Sequence, residues 1–206
     1  MNGPQTFIGG VLGVSACLLA AGCAPRSNPV AEKYESEQRQ IAAHLNTFDD
    51  LDFNVFTNRK WTELHRSHAN NITVYWPDGH TTIGIEKHIE DLKAMFVWAP
   101  DTRIKEHPVK MGQGEWTSVI GTMEGTFTKP MPIGAGKSIP PTGKAYKIRM
   151  VTVGHWNKDG VMDAEYLMWD NQEFMKEIGL GEGTLARRAH AVKPRAGGSG
   201  NRRPER

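Results

Sequence analysis

Two hydrophobic periods succeed one another along this chain, and their order limits the folds open to it. Before Pro100, apolar residues recur at helical spacing over Ala31 to Asn58, Trp61 to Ala69 and Ile85 to Phe96. The first of these stretches places Ile41, Leu45 and Phe48 on one face. A β-branched and aromatic run, "NNITVYWPDG", separates the second from the third and ends in a Pro-Asp-Gly turn. Beyond Pro100 the pattern alternates, and Ile104 to Met111, Glu115 to Lys129, Tyr146 to Trp156 and Val161 to Trp169 read as strands. A Pro/Gly-rich loop, Pro130 to Gly143, separates the second and third of these, and Asn157 to Gly160 makes a tight turn between the last two. Helices first and a meander of long strands afterwards imply an α+β fold, with helices on one face of a curved antiparallel sheet.

The period changes at the end of the last strand. Met162, Ala164, Tyr166 and Met168 alternate with Asp163, Glu165, Leu167 and Trp169. From Asn171 the period becomes helical through Phe174, Met175 and Ile178. Asp170 at this junction is a good N-cap, Glu173 completes a capping box, and Gly179 is placed to stop the helix. A cap of this kind is worth about 1 kcal/mol. The Met162, Ala164, Tyr166 and Met168 face is apolar and on the side the helices do not cover, so a homodimer is expected.

The two ends of the 206-residue chain differ from its middle. Phe7 to Ala24 is apolar and uncharged, and small residues lead into Cys23, as in an export segment. "AAGC" at Ala20 to Cys23 resembles a bacterial lipobox, which would make Cys23 the lipidated N-terminus of a membrane-anchored protein of the cell envelope. No Lys or Arg precedes Arg26, and Ala20 stands where lipoboxes usually carry Leu; a plain signal peptide and an uncleaved anchor helix fit the same run. Cys17 would leave with the signal, so neither a disulfide nor a cysteine metal site is expected. Ala186 to Arg206 holds seven Lys or Arg against one Glu and reads as a disordered basic tail. With no zinc spacing and no basic helix with interleaved aromatics, no nucleic-acid partner is expected. The resulting division is 1–22 signal, 23–35 tether, 36–182 folded domain and 183–206 tail.

Three stretches, "NRKWTELHRSHANNITVYWPDG", "EGTFTKPM" followed by "PPTGKAY", and "DGVMDAEYLMWDNQEFMKEIGL", together resemble the SnoaL-like polyketide cyclase or ester cyclase group of the nuclear transport factor 2-like superfamily. The likeness covers roughly Ile41 to Gly181. It implies a cone, a highly curved antiparallel sheet wrapped around helices with a pocket inside, and frequent homodimerisation. It also implies an acid/base aspartate near the end of the last strand. The best match puts Leu167 at that position, and leucine cannot move a proton; a shift of three residues would put Asp170 there instead.

Proton transfer requires a side chain whose pKa an apolar pocket can move towards neutrality. Glu165, on the face of Leu167, is the first candidate, with a solvated sheet residue as the plainer reading. Glu124 is the second, provided that the Thr122, Glu124 and Thr126 face of its strand looks into the cone. His155 could orient an acid, and His80 follows the turn at a possible rim. His65 and His68 fall at i,i+3 on an expected helix, but no third ligand accompanies them and no metal or other cofactor is expected. "GAGKS" at Gly134 to Ser138 lacks the first glycine of a phosphate loop. Trp76, Trp116 and Trp169, with Leu167, are candidates for an aromatic wall around a flat, apolar small molecule.

Two functions fit these readings: a ligand-binding module, favoured by the missing aspartate and the anchor, and a cofactor-free cyclase, isomerase or hydratase. A carboxylate buried in the pocket without a structural partner would favour the enzyme.

Overall fold

The computed structural model describes residues 28–181. The export run, Cys23 and the basic tail lie outside the described residues.

The chain enters a long helix, α1 (Pro29–Asp50), through Asn28, whose side chain accepts the Val30 N–H at 3.1 Å. The helix therefore begins inside the stretch expected as a tether. Its buried positions, Ile41, His44 and Phe48, recur at three and four residues and face the sheet. At Leu51 the helix widens into a π-helix (Leu51–Phe56), which carries Asp52. A 3-10 helix comes next (Trp61–Arg66), then β1 (His68–Tyr75), β2 (Thr81–Ile83) and α2 (Ile85–Trp98). The remaining strands are β3 (Arg103–Ile104), β4 (Val109–Gln113), β5 (Trp116–Thr126), β6 (Met131–Pro132), β7 (Ser138–Ile139), β8 (Ala145–Trp156) and β9 (Met162–Trp169). Helix α3 (Asn171–Glu177) closes the domain.

Seven strands form one sheet in the order β2-β1-β9-β8-β5-β3, with β4 also on β5; β6 and β7 pair separately within the Pro/Gly loop. The mixed α+β architecture of a curved, unclosed sheet against N-terminal helices is the one expected. Its pairing is not antiparallel throughout, because β1 and β9 run parallel, with Val74 opposite Glu165. The sequence shows each strand's own pattern and not its partner, and these two lie at opposite ends of the domain.

Three local departures shape the site. The helix expected to reach Ala69 ends at Arg66, because the β-branched run beginning at Ile72 extends back to His68 and pairs with β9. His65 stays exposed within the 3-10 helix and His68 turns inward, so the two do not share a face. The single strand expected from Ile104 to Met111 is split at Pro108, which has no N–H for a ladder, and His107 at the break turns into the domain. The register between β8 and β9 slips between His155 and Trp156, and this bulge inverts the parity of β9. Met162 therefore sits in the core, fully buried, while Asp163 and Ala164 face outwards and Glu165, Leu167 and Trp169 face in.

Trp156 anchors the core. Its ring stacks on His44 at 4.3 Å, meets the edge of Phe48 at 5.6 Å, and donates its N–H to Thr117 Oγ1 at 2.7 Å. Full burial of such large apolar side chains contributes roughly 1.5–3 kcal/mol each. Gly154 lets Phe48 and Met162 reach the sheet; a methyl group there would lie 3.1 Å from the Phe48 ring. On the outer face Tyr75 stacks on Tyr166 at 4.4 Å, and Trp116 and Met168 remain 45% and 47% exposed.

Candidate active site

A cavity lies between the concave face of the sheet, the π-helix and α2. Leu51, Phe56, Leu92, Met123, Met150 and Leu167 are among the apolar side chains of its wall. Into this apolar surround project Asp52, His68, His88, Thr152 and Glu165, with no Lys or Arg among them. The space that water-sized molecules can occupy is about 40 Å³. A few waters fill that volume, whereas pockets for drug-sized ligands hold roughly 300–1,000 Å³.

Local structure explains why these polar side chains face inwards. His88 occupies the same stripe of α2 as the buried Leu92 and Phe96, at successive four-residue steps. Glu165 alternates with Leu167 and Trp169 on the inner face of β9. His68 opens β1, and Ser67 fixes its ring: the Ser67 hydroxyl donates to Leu64 C=O at 3.2 Å and lies 2.8 Å from His68 Nδ1. A hydroxyl already committed as donor accepts from the ring, so Nδ1 carries the proton and Nε2 presents a lone pair. That nitrogen lies 3.5 Å from Glu165 Oε2, and His88 Nε2 lies 3.5 Å from the same oxygen. The three residues are 2%, 2% and 4% exposed.

Burial pushes the His88 imidazole down to about 4, keeping it neutral at ordinary pH. Burial favours the neutral form of Glu165, and only positively charged rings at His68 and His88 would hold its carboxyl below the ordinary value. Burial raises Asp52, and the opposing hydrogen bond from His107 does not cancel that effect. His107 Nε2 lies 2.8 Å from Asp52 Oδ2, its Nδ1 lies 2.9 Å from Asp49 Oδ1, and Lys110 Nζ donates to Asp49 Oδ2 at 2.7 Å. The chain Asp52–His107–Asp49–Lys110 leads from the cavity wall to the surface. Gly121 on β5 leaves room for the His107 ring, which a methyl group there would approach to 3.2 Å.

Of the candidates named from the sequence, Glu165, Leu167, Trp76 and Trp169 lie in the cavity wall. Trp76 donates to Thr82 Oγ1 at 2.9 Å and Trp169 to Asn171 Oδ1 at 2.8 Å, which fixes both indoles. His80 stacks on Trp76 at 5.2 Å from outside the cavity wall. The structure does not bring the others there. Glu124 is on the outer face of β5, because Val119, Gly121 and Met123 take the inner positions; it pairs with Arg103 at 2.7 Å and Lys105 at 2.9 Å. His155 is also on the outer face, 2.6 Å from Asp163 and tilted against Trp116. Asp170 is exposed and accepts the N–H groups of Gln172 and Glu173 at 2.8 and 3.0 Å, which makes it a helix cap. The sequence reading does not single out Asp52, His88 or His107. The signal for His88 is its four-residue spacing to Leu92 and Phe96; the other two reach the site through the π-helix and the break at Pro108.

The fold and cavity define a class, a cone-shaped α+β domain that encloses a small, largely apolar site with buried acid–base groups. The SnoaL-like polyketide cyclase family model matches residues 41–178, and the chain belongs to that family. No curated protein matches it. Among solved structures, it is similar to a candidate SnoaL-like polyketide cyclase from Jannaschia sp. CCS1, with 17% identity and a TM-score of 0.57 over 75% of this chain and 97% of that one. It is also similar to IdmH, a candidate polyketide cyclase from Streptomyces antibioticus, with 16% identity and a TM-score of 0.55 over 66% of this chain and 98% of the other. AclR, a candidate hydroxylase from Streptomyces galilaeus, matches with 11% identity and a TM-score of 0.53 over 69% and 97% of the two chains. At these identities the likeness is one of fold.

Proposed function

We propose that this domain is an enzyme that moves a proton on a carbon adjacent to the carbonyl of a small, largely apolar substrate. The observation that carries the reading is the burial of two carboxylates, Asp52 and Glu165, in the wall of one cavity that has no Lys or Arg. Burying a carboxylate costs several kcal/mol unless it is well paired. A module that only holds an apolar ligand gains nothing from two of them.

In this reading Asp52 exchanges the substrate proton and His107 orients its carboxylate, while Asp49 leads the proton on to solvent. His88, a neutral ring whose tautomer is not fixed, donates to the carbonyl oxygen from across the cavity. The cavity volume favours a substrate of a few heavy atoms inside, with any larger part held at the Trp76 and Trp169 rim. Leu167 takes no part in the proton transfer.

The test is deuterium incorporation from heavy water into a panel of small ketones, aldehydes and 3-oxo acids, followed by NMR. The wild type should label one α-position of at least one compound, and Asp52→Asn should lose that labelling while folding normally. Labelling that survives in Asp52→Asn would sink the assignment, as would a wild type that labels nothing yet binds these compounds as tightly as the variant does.

The cellular setting belongs to the same proposal. Cys23, at the end of the apolar run, carries a lipid that anchors the protein to the bacterial envelope, and the outer face of β9 joins two copies. The uncharged run with "AAGC" supports the first, and the exposed Met168 and Trp116 beside Tyr166 support the second.

A further inference from the structure

We propose that His68, His88 and Glu165 form a binding site for a divalent first-row transition-metal ion. Their donor atoms all lie within 4.8 Å of one another. The two imidazole-to-carboxylate separations, 3.5 Å each, are long for N–H···O hydrogen bonds, which centre near 2.9–3.0 Å. They match a different geometry: around an ion with ligand bonds of about 2.1 Å, the edge of a tetrahedron is about 3.4 Å. Both edges that meet at Glu165 are thus spaced for ligands of one ion rather than for a proton between two atoms.

The orientation of the ligands agrees with their spacing. Ser67 accepts the hydrogen bond of His68 Nδ1–H and so turns the Nε2 lone pair towards Glu165, the outer-sphere arrangement that metal-bound histidines share. Without a cation, that lone pair faces a carboxylate oxygen in an apolar cavity, two acceptors aimed at one another. No Lys or Arg in the cavity wall relieves this, and Asp52 adds a second acid. His88 Nδ1 has no hydrogen-bond partner among the described residues, so no protein hydrogen bond fixes that ring's tautomer.

The donor set selects the kind of ion. Two imidazoles and one carboxylate suit Zn²⁺, Fe²⁺ or Mn²⁺, whereas Mg²⁺ and Ca²⁺ prefer oxygen ligands throughout. Three protein ligands leave at least one coordination position. The cavity has space for the water, or the substrate oxygen, that would take it. The inference rests on the same cavity as the proton-transfer reading and deepens it by naming what would hold the substrate's oxygen.

The experiment needs no turnover. The full chain is stripped with chelator and dialysed against Zn²⁺, Mn²⁺, Mg²⁺ or, under anaerobic conditions, Fe²⁺; bound metal is counted by mass spectrometry and the protein is melted with and without each ion. Stripped protein with Co²⁺ gives a spectroscopic readout of imidazole ligation. About one equivalent of Zn²⁺ or Fe²⁺ should bind and raise the melting temperature, with Mg²⁺ inert. His88→Ala and Glu165→Gln, checked for folding by circular dichroism, should lose at least about tenfold in affinity, while His65→Ala should bind as the wild type does. A wild type that stays metal-free overturns the proposal. So does metal that remains in both variants, because the exposed Asp78 and His80 with the half-buried Asp91, or the half-buried His155 and Asp163, would then be holding it. If the wild type binds no metal and Asp52→Asn still abolishes labelling, the metal site fails and the proton-transfer reading stands. Metal bound in the expected pattern without labelling of any carbonyl compound supports the site and removes that reading.

Discussion

Nε2 of His107 lies 2.8 Å from Oδ2 of Asp52, although 55 residues separate them along the chain. One comes from a helix that widens by a residue, the other from a strand that breaks at a proline. Removing the ring leaves the buried Asp52 carboxyl without its hydrogen-bond partner, which costs about 1–3 kcal/mol. His107→Ala should lower the urea midpoint accordingly, with an unchanged m-value.

The same residue gives a pH dependence. Burial alone would lower His107, but hydrogen bonds and charges from Asp52 and Asp49 outweigh it and hold the ring above its ordinary 6.5. The groups that face it are those two carboxylates, with Lys110 behind Asp49 and the Phe53 ring at 4.6 Å. Because the folded value is raised, the stabilisation is complete below 6.5 and is lost as the pH rises above it through the folded value. The stability difference between wild type and His107→Gln should therefore shrink towards alkaline pH; a difference that grows instead would refute the assignment.

Gly154 is a packing prediction. A methyl group there meets the Phe48 ring at 3.1 Å and the thioether of Met162, and neither can withdraw because both side chains are fully buried. Gly154→Ala should cost about 1–3 kcal/mol, read as a fall in the melting temperature.

At Asp170 the two backbone N–H groups need an oxygen acceptor and not a proton carrier. Asp170→Ala should destabilise by about 1 kcal/mol, whereas Asp170→Asn should melt close to wild type and keep any activity the wild type has. Loss of activity in a normally melting Asp170→Asn would instead make this the family's acid/base aspartate.

The outer face of β9 is tested by charge. Met168→Asp adds a carboxylate to a half-exposed apolar patch that includes Trp116, and should convert a dimer to monomers in light scattering at micromolar concentration. A wild type that is already monomeric there removes the proposed interface.

Cys23→Ala tests the anchor by fractionation. The protein should leave the membrane fraction or accumulate as an unprocessed precursor. A wild type that is soluble in the cytoplasm with Met1 intact would rule the anchor out.

Legible in the sequence is whatever a single element determines for itself. Helical spacing marks the Ile41 to Phe48 face, alternation marks β5, β8 and β9, and Asp170 and Gly179 mark both ends of the last helix. Hidden from it is whatever two elements decide together. The parity of β9 depends on a bulge against β8, so alternation alone puts Met162 outside and Asp163 inside. His68 looks like the helical neighbour of His65, because the pairing that draws it into β1 is with a strand near the other end of the domain. Asp52 and His107 carry no local signal at all, since each is aimed by an irregularity in its own element.

The parallel pairing of β1 with β9 also sets a time. His68 and His88 emerge early during synthesis and Glu165 among the last residues of the domain, so a nascent chain holds both histidines of the cluster without the carboxylate they face. Until β9 arrives, β1 is a β-branched edge with its inner face open, and closing so long a loop is slow compared with local helix formation. Chains stopped before Met162 should therefore be aggregation-prone as well as incomplete, whatever fraction of the helices they have already formed.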